Sequence, residues 1–111
     1  VVFGDGEQSR DFTYVGDVVD ANMQAMERDG VSGEVLNIAC GRTTTVNTLL
    51  ATLQDILGTS IAPNHVDERP GDVRHSYADV SKAERMLGVD SFMPLRDALE
   101  ITVASFRSRP E

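Results

Sequence analysis

The sequence is short of three things. It has a single cysteine, Cys40. It has 10 Lys plus Arg against 18 Asp plus Glu, a net charge of -8. It has no apolar run of the roughly 20 residues that a bilayer crossing needs. A lone cysteine cannot close an internal disulfide, and it fits a reducing compartment, read here as the cytoplasm. The shortage of basic residues argues against nucleic acid or an anionic membrane as a partner, because both need a basic face. An acidic protein that binds a phosphorylated ligand must do so with a few locally placed arginines. No secretory signal pattern opens the chain. It starts Val1-Val2-Phe3 without an initiator Met, which suggests a truncated or processed product.

What is present is ordinary for a soluble globular domain. Hydrophobic residues make up 41% and charged residues 25% of 111 positions. One domain, 1–111, is expected, with one modest core. "GDGEQS" (Gly4 to Ser9) reads as a turn or hairpin tip. "RDFTYV" alternates into a short strand. Apolar residues at Val15, Val18, Val19, Met23 and Met26 predict one face of a helix running to about Arg28. The Met pair reads as core. "EVLNIA" (Glu34 to Ala39) predicts a strand covered on both faces.

Thr44 or Thr45 can cap a helix with apolar positions Val46, Leu49, Leu50, Leu53, Ile56 and Leu57, closed by Gly58. "IAPNHVDE" reads as extended. Asp79 can cap a short helix closed by Gly88. Leu95, Ala98, Leu99, Thr102, Val103 and Phe106 form the stripe of a last amphipathic helix, Leu95 to Arg107. The order is strand, helix, strand, helix, strand, helix, helix. It predicts a small α/β unit with a three-stranded sheet, some parallel pairing and about four helices.

Pro70-Gly71 is a strong turn dipeptide. Proline presets the first central position, and glycine supplies the positive φ of a type II turn. Arg69 and Asp72 then flank the turn, with Cα atoms within about 7 Å. Arg69 precedes proline, so its backbone is biased to be extended. Such an arginine can fork onto two phosphate oxygens, and a nearby carboxylate suits the paired hydroxyls of a ribose. The alternative is an Arg69–Asp72 ion pair across a surface turn, worth little. Arg10 sits at a strand end, where ligand crevices form; its alternative is a solvated charge or a partner for Asp11. Arg74 and His75 read as a solvated loop. Asp17 and Asp20 read as a solvated helix N-terminus.

The stretches "GDGEQSRDFTYVGDVVDA", "GEVLNIACGRTTTVNTL" and "ERPGDVRHSYADVSKAERMLG" resemble the C-terminal, substrate-binding part of the NAD-dependent epimerase/dehydratase family. These are the extended short-chain dehydrogenase/reductases, with UDP-glucose 4-epimerase as the nearest familiar member. The likeness covers nearly the whole chain, in order. It implies an N-terminal Rossmann half, outside these residues, that holds NAD, and a C-terminal part that holds the nucleotide sugar. By motif, Arg10 and Arg69 resemble the two arginines on the UDP diphosphate. Asp72 resembles the carboxylate on a ribose hydroxyl. Phe3 falls beside the uracil, and Val46 resembles an apolar contact to the nucleotide. Phe12 stands where UDP-galactose epimerases often have tyrosine. Cys40 replaces a more usual small residue, and Val89 a common tryptophan.

The family's redox machinery is not in these residues. Gly4-x-Gly6 is followed by Ser9, with no apolar strand before it, so it is not the dinucleotide fingerprint. Residues four after Tyr14 and Tyr77 are Val18 and Ser81. The Tyr-x-x-x-Lys pair, in which lysine lowers the tyrosine's pKa, is therefore missing, and no catalytic residue is assigned. Cys40, His65 and His75 lack metal-ligand spacing. Three readings follow: the substrate-binding portion of a UDP-glucose 4-epimerase-like enzyme; the same portion of a dTDP-glucose 4,6-dehydratase or UDP-glucuronate decarboxylase; or a non-catalytic nucleotide-binding or interaction module. Surface that normally meets the Rossmann half would favour self-association.

Overall fold

The computed structural model describes residues 1–89 and 91–109. Among them are four helices and four two-residue strands, in the order β1 (Val2–Phe3), β2 (Ser9–Arg10), α1 (Val15–Glu27), β3 (Thr44–Thr45), α2 (Val46–Leu57), β4 (His65–Val66), α3 (Ser81–Leu87) and α4 (Leu95–Arg107). This is the small α/β unit expected. No helix of the described residues is long and apolar enough to cross a membrane.

The pairing differs from the three-stranded sheet anticipated. Two separate ladders form: β1 with β4 in parallel, and β2 with β3 antiparallel. The Gly4–Ser9 stretch is thus no hairpin tip, since the strands on either side of it pair elsewhere. The "RDFTYV" strand stops at Arg10. The cause is Asp11, whose carboxylate accepts the backbone N–H groups of Cys40 (3.0 Å) and Gly41 (2.8 Å). A side chain replaces the ladder there. Residues 34–39 form no strand, because no described segment offers a ladder partner. Val35 is 82% exposed.

The helix ends obey local chemistry. Thr45 Oγ1 accepts the N–H of Thr48 at 3.1 Å, so the cap of α2 is Thr45. Gly58 closes that helix in the left-handed conformation, φ 67. Asp79 accepts the N–H of Ser81 at 3.0 Å from one residue before the helix boundary at Val80. The Ser81 hydroxyl, with this N–H second, holds the Asp79 carboxyl below its ordinary range.

The core is small, built on Ala21, Leu87 and Val89, with Ala25, Leu36, Ile38 and Phe92 packed around it. Leu87 is its largest fully buried side chain. The buried face of α1 is not the one its large apolar residues predict. Ala21 turns in towards α3, while Met26 is 79% exposed and Val15 68%. Small side chains let α1 approach Leu87 closely, which the bulky face could not. Asp17, expected to be solvated, accepts the N–H of Met93 at 3.0 Å. The radius of gyration is 16.7 Å, against about 13 Å for a typical 100-residue domain. Extents of 50 × 36 × 23 Å describe an elongated body with a thin interior.

Candidate functional site

A second region, opposite in character to that core, is polar and held by backbone. Residues 69–72 form the turn their sequence demands. Asp72 N–H donates to Arg69 C=O at 3.2 Å, and Gly71 has φ 84, the positive value a type II turn needs at this place. The expected alternative, an ion pair between Arg69 and Asp72, is not among the ion pairs of the described residues. Asp72 instead lies 3.9 Å from the guanidinium of Arg10. Arg69 lays its guanidinium over the Phe3 ring, with Cζ 4.0 Å from the ring centroid. A cavity of about 60 Å³ lies among Phe3, Gln8, Glu68, Arg69, Asp72 and Arg74.

Three segments meet there, and their register explains why. β1 ends at Phe3 and is tied in parallel to β4, which leads into the turn. β2 carries Arg10 and lies against the chain after the turn: Ser9 N–H donates to Arg74 C=O at 2.8 Å, and Ser76 N–H donates to Ser9 C=O at 3.1 Å. Ser9 is buried, and its Oγ is 2.8 Å from His75 Nδ1. Arg10 donates from Nη1 to the carbonyls of Ser9 (2.8 Å) and Arg74 (3.3 Å). These bonds aim its guanidinium toward the turn. Asp11 does not pair with Arg10, since it is taken by the 40–41 backbone.

Of the residues singled out by sequence, Phe3, Arg69 and Asp72 line the cavity, and Arg10 reaches Asp72 at its rim. Val46 does not line it. Its N–H donates to Gln8 C=O at 3.1 Å, so it supports the site through backbone. Three residues at the site were not foreseen. Arg74, expected to be solvated, pairs with Asp5 at 2.8 Å and Glu68 at 3.7 Å. The Arg74 guanidinium holds the Asp5 carboxyl below its usual range, and the carboxylates raise Arg74 in return. Gln8 donates from Nε2 to Phe3 C=O at 2.8 Å, which fixes the end of β1. Glu68 brings a second carboxylate. The only sequence signal for Arg74 is its place two residues beyond Asp72.

A wider hollow of about 520 Å³ lies between α1 and residues 28–38. Arg28 in that hollow donates to Leu87 C=O at 2.9 Å, and Asp29 and Glu34 stand among otherwise small or apolar walls. The hollow carries one arginine where the smaller site has two on its walls. Cys40 has its thiol pushed up in pKa chiefly by burial, which leaves it a poor nucleophile. Lys82, the lysine nearest in sequence to a tyrosine pairing, is bound to Glu34 at 2.6 Å. The Gly4–Gly6 turn leads into β2, not into a helix N-terminus that could face a pyrophosphate.

A family model described as "NAD dependent epimerase/dehydratase family" matches residues 1–39. A UDP-glucose 4-epimerase from Thermotoga maritima, solved with UDP-glucose, superposes with a TM-score of 0.87 at 46% identity, over 96% of this chain and 34% of that one. A UDP-glucuronic acid 4-epimerase from Bacillus cereus, solved with UDP-glucuronic acid and NAD, gives a TM-score of 0.81 at 35% identity, over 89% of this chain and 32% of that one. UDP-glucuronic acid decarboxylase 5 from Arabidopsis thaliana is 34% identical over 94% of this chain and 30% of its own length. The chain spans about a third of the length of the curated relatives it matches. Motif order, architecture and these likenesses agree: the chain is similar to about one third of the length of proteins of the NAD-dependent epimerase/dehydratase family, and its first 39 residues match that family's model.

Proposed function

We propose that this chain grips the nucleotide end of a UDP-sugar for an epimerase of the UDP-glucose 4-epimerase kind. The observation that carries the reading is the meeting of the 69–72 turn, Phe3 and Arg10 around one cavity, in a protein that is otherwise acidic. Arg10 and Arg69 would neutralise the two charges of the diphosphate by charge-assisted hydrogen bonds. Asp72, now beside Arg10, would accept from a ribose hydroxyl once the diphosphate takes that arginine. Phe3 would lie beside the uracil. Binding of the remote nucleotide would hold the sugar in register for chemistry elsewhere in the parent enzyme.

The redox part of that chemistry we assign to a Rossmann half that holds NAD, and no step is drawn through it here. Val15, Val19, Met26 and Val35 leave apolar surface exposed. That surface, next to the unpaired segment 34–39, is where we place the contact with the Rossmann half. The experiment is a calorimetric titration of UDP into the protein and its Arg69→Ala variant. A loss of at least several-fold in affinity is expected. Equal affinity in a folded variant would remove Arg69 from the grip.

A further inference from the structure

The ion pairs of the site use Arg10 and Arg74, with Asp72, Asp5 and Glu68 as their partners. Arg69 is engaged differently. Its guanidinium lies on the ring of Phe3, 4.0 Å from the centroid, and both side chains wall a space of about 60 Å³. Sites that hold a small organic ligand run from about 300 Å³ upward. A nucleotide therefore enters only when wall side chains leave. Of those walls, Phe3 is fixed through its backbone by β1 and by Gln8. Arg69 is exposed and sits on a turn whose one internal bond is between backbone atoms. Glu68 and Val73 are exposed too, but of the two cations on the walls Arg69 is the one that can move, since Arg74 is held by Asp5 and Glu68.

An aromatic face can hold a guanidinium by cation–π attraction, or a nucleobase by stacking. One face cannot hold both. We propose that Arg69 and Phe3 form an exchange pair: the base of an incoming nucleoside diphosphate takes the ring, and the displaced guanidinium takes the diphosphate. The inference rests on the nucleotide reading above and adds how the ligand-free site is kept filled. It gives the site a built-in preference. A nucleoside without phosphate must evict Arg69 and offers it no new partner. A nucleoside diphosphate evicts it and supplies one. An anion alone draws Arg69 off the ring and leaves Phe3 open, so anion and nucleoside must help each other bind, reciprocally.

The test titrates uridine, inorganic pyrophosphate and UDP into the protein and into Arg69→Gln, following the Phe3 ring signals by NMR. A cation–π contact at an exposed site corresponds to a factor of about two to five in affinity. Arg69→Gln is expected to weaken UDP about tenfold or more while tightening uridine about two- to fivefold. In the unaltered protein, saturating pyrophosphate is expected to tighten uridine by a similar factor. Uridine affinity that is unchanged or weaker in Arg69→Gln, or indifferent to pyrophosphate, overturns the exchange and leaves the nucleotide grip standing. Failure of UDP to bind the unaltered protein overturns both. Arg69→Lys, which keeps a charge that can still lie over the ring but lacks the planar fork, should lose less UDP affinity than Arg69→Gln and tighten uridine less; parallel losses for both ligands count against the exchange.

Discussion

Two regions of this molecule settle their surface groups in opposite ways. Around the 69–72 turn, charges of both signs are crowded and nearly every one has a protein partner: Arg10 with Asp72, Arg74 with Asp5 and Glu68, Arg69 on Phe3. Around α1 and residues 34–39, apolar side chains face outward and a β-rich segment runs without a ladder. A polar site whose groups satisfy one another is stable without ligand, and a ligand enters by exchange of partners. An apolar face with nothing on it gains free energy from any complementary surface. On the function proposed above, the first region would take a small polar ligand and the second a large partner, with burial rather than charge governing the second.

Substitutions can break this comparison. The largest effect is expected in the core beneath α1. Leu87→Ala empties the largest fully buried side chain of a thin core, and should cost about 2–5 kcal/mol in chemical denaturation. Met26→Ala, on the predicted apolar stripe of α1 but exposed, should stay within about 0.5 kcal/mol of the original. Equal losses would show that α1 buries its bulky face after all. Next is Asp11→Ala, which frees the N–H groups of Cys40 and Gly41 and should cost about 1–3 kcal/mol. Because β2 and β3 meet beside that clamp, UDP affinity should fall along with stability. Thr45→Ala removes the cap of α2 and should cost about 1 kcal/mol, leaving UDP affinity within about twofold.

The smallest effect concerns pH. Asp5, through Arg74, and Asp79, through Ser81, both have depressed carboxyl pKa values in the fold. A depressed acid adds stability above its unfolded value and loses that contribution as pH falls through its folded value. The melting temperature should therefore drop as pH falls below about 4, the ordinary aspartate range. Asp5→Asn should flatten part of that drop. An unchanged acid limb in the variant would mean that the Asp5–Arg74 pair contributes nothing to the fold.

The helices were legible because their ends are local. Thr45 and Gly58 mark α2 by rules that need no knowledge of the rest of the chain. The 69–72 turn was legible for the same reason, since Pro70 and Gly71 dictate it. The interior of α1 was misread because periodicity identifies an apolar face and not what faces it; the close approach of Leu87 selects Ala21 over Met23 and Met26. Residues 34–39 read as a strand by composition, but a strand exists only with a neighbour to pair. Phe3, Arg69 and Asp72 carried a motif signal and lie together at the cavity. Gln8, Glu68 and Arg74 did not, because their place depends on how β2 docks against residues 74–76, more than sixty residues away in sequence.

The most direct test of the account is a crystal structure of this protein with UDP. The account predicts diphosphate oxygens within hydrogen-bond reach of both Arg10 and Arg69, and a ribose hydroxyl on Asp72. A diphosphate bound elsewhere, with Arg69 still lying on Phe3, would contradict it.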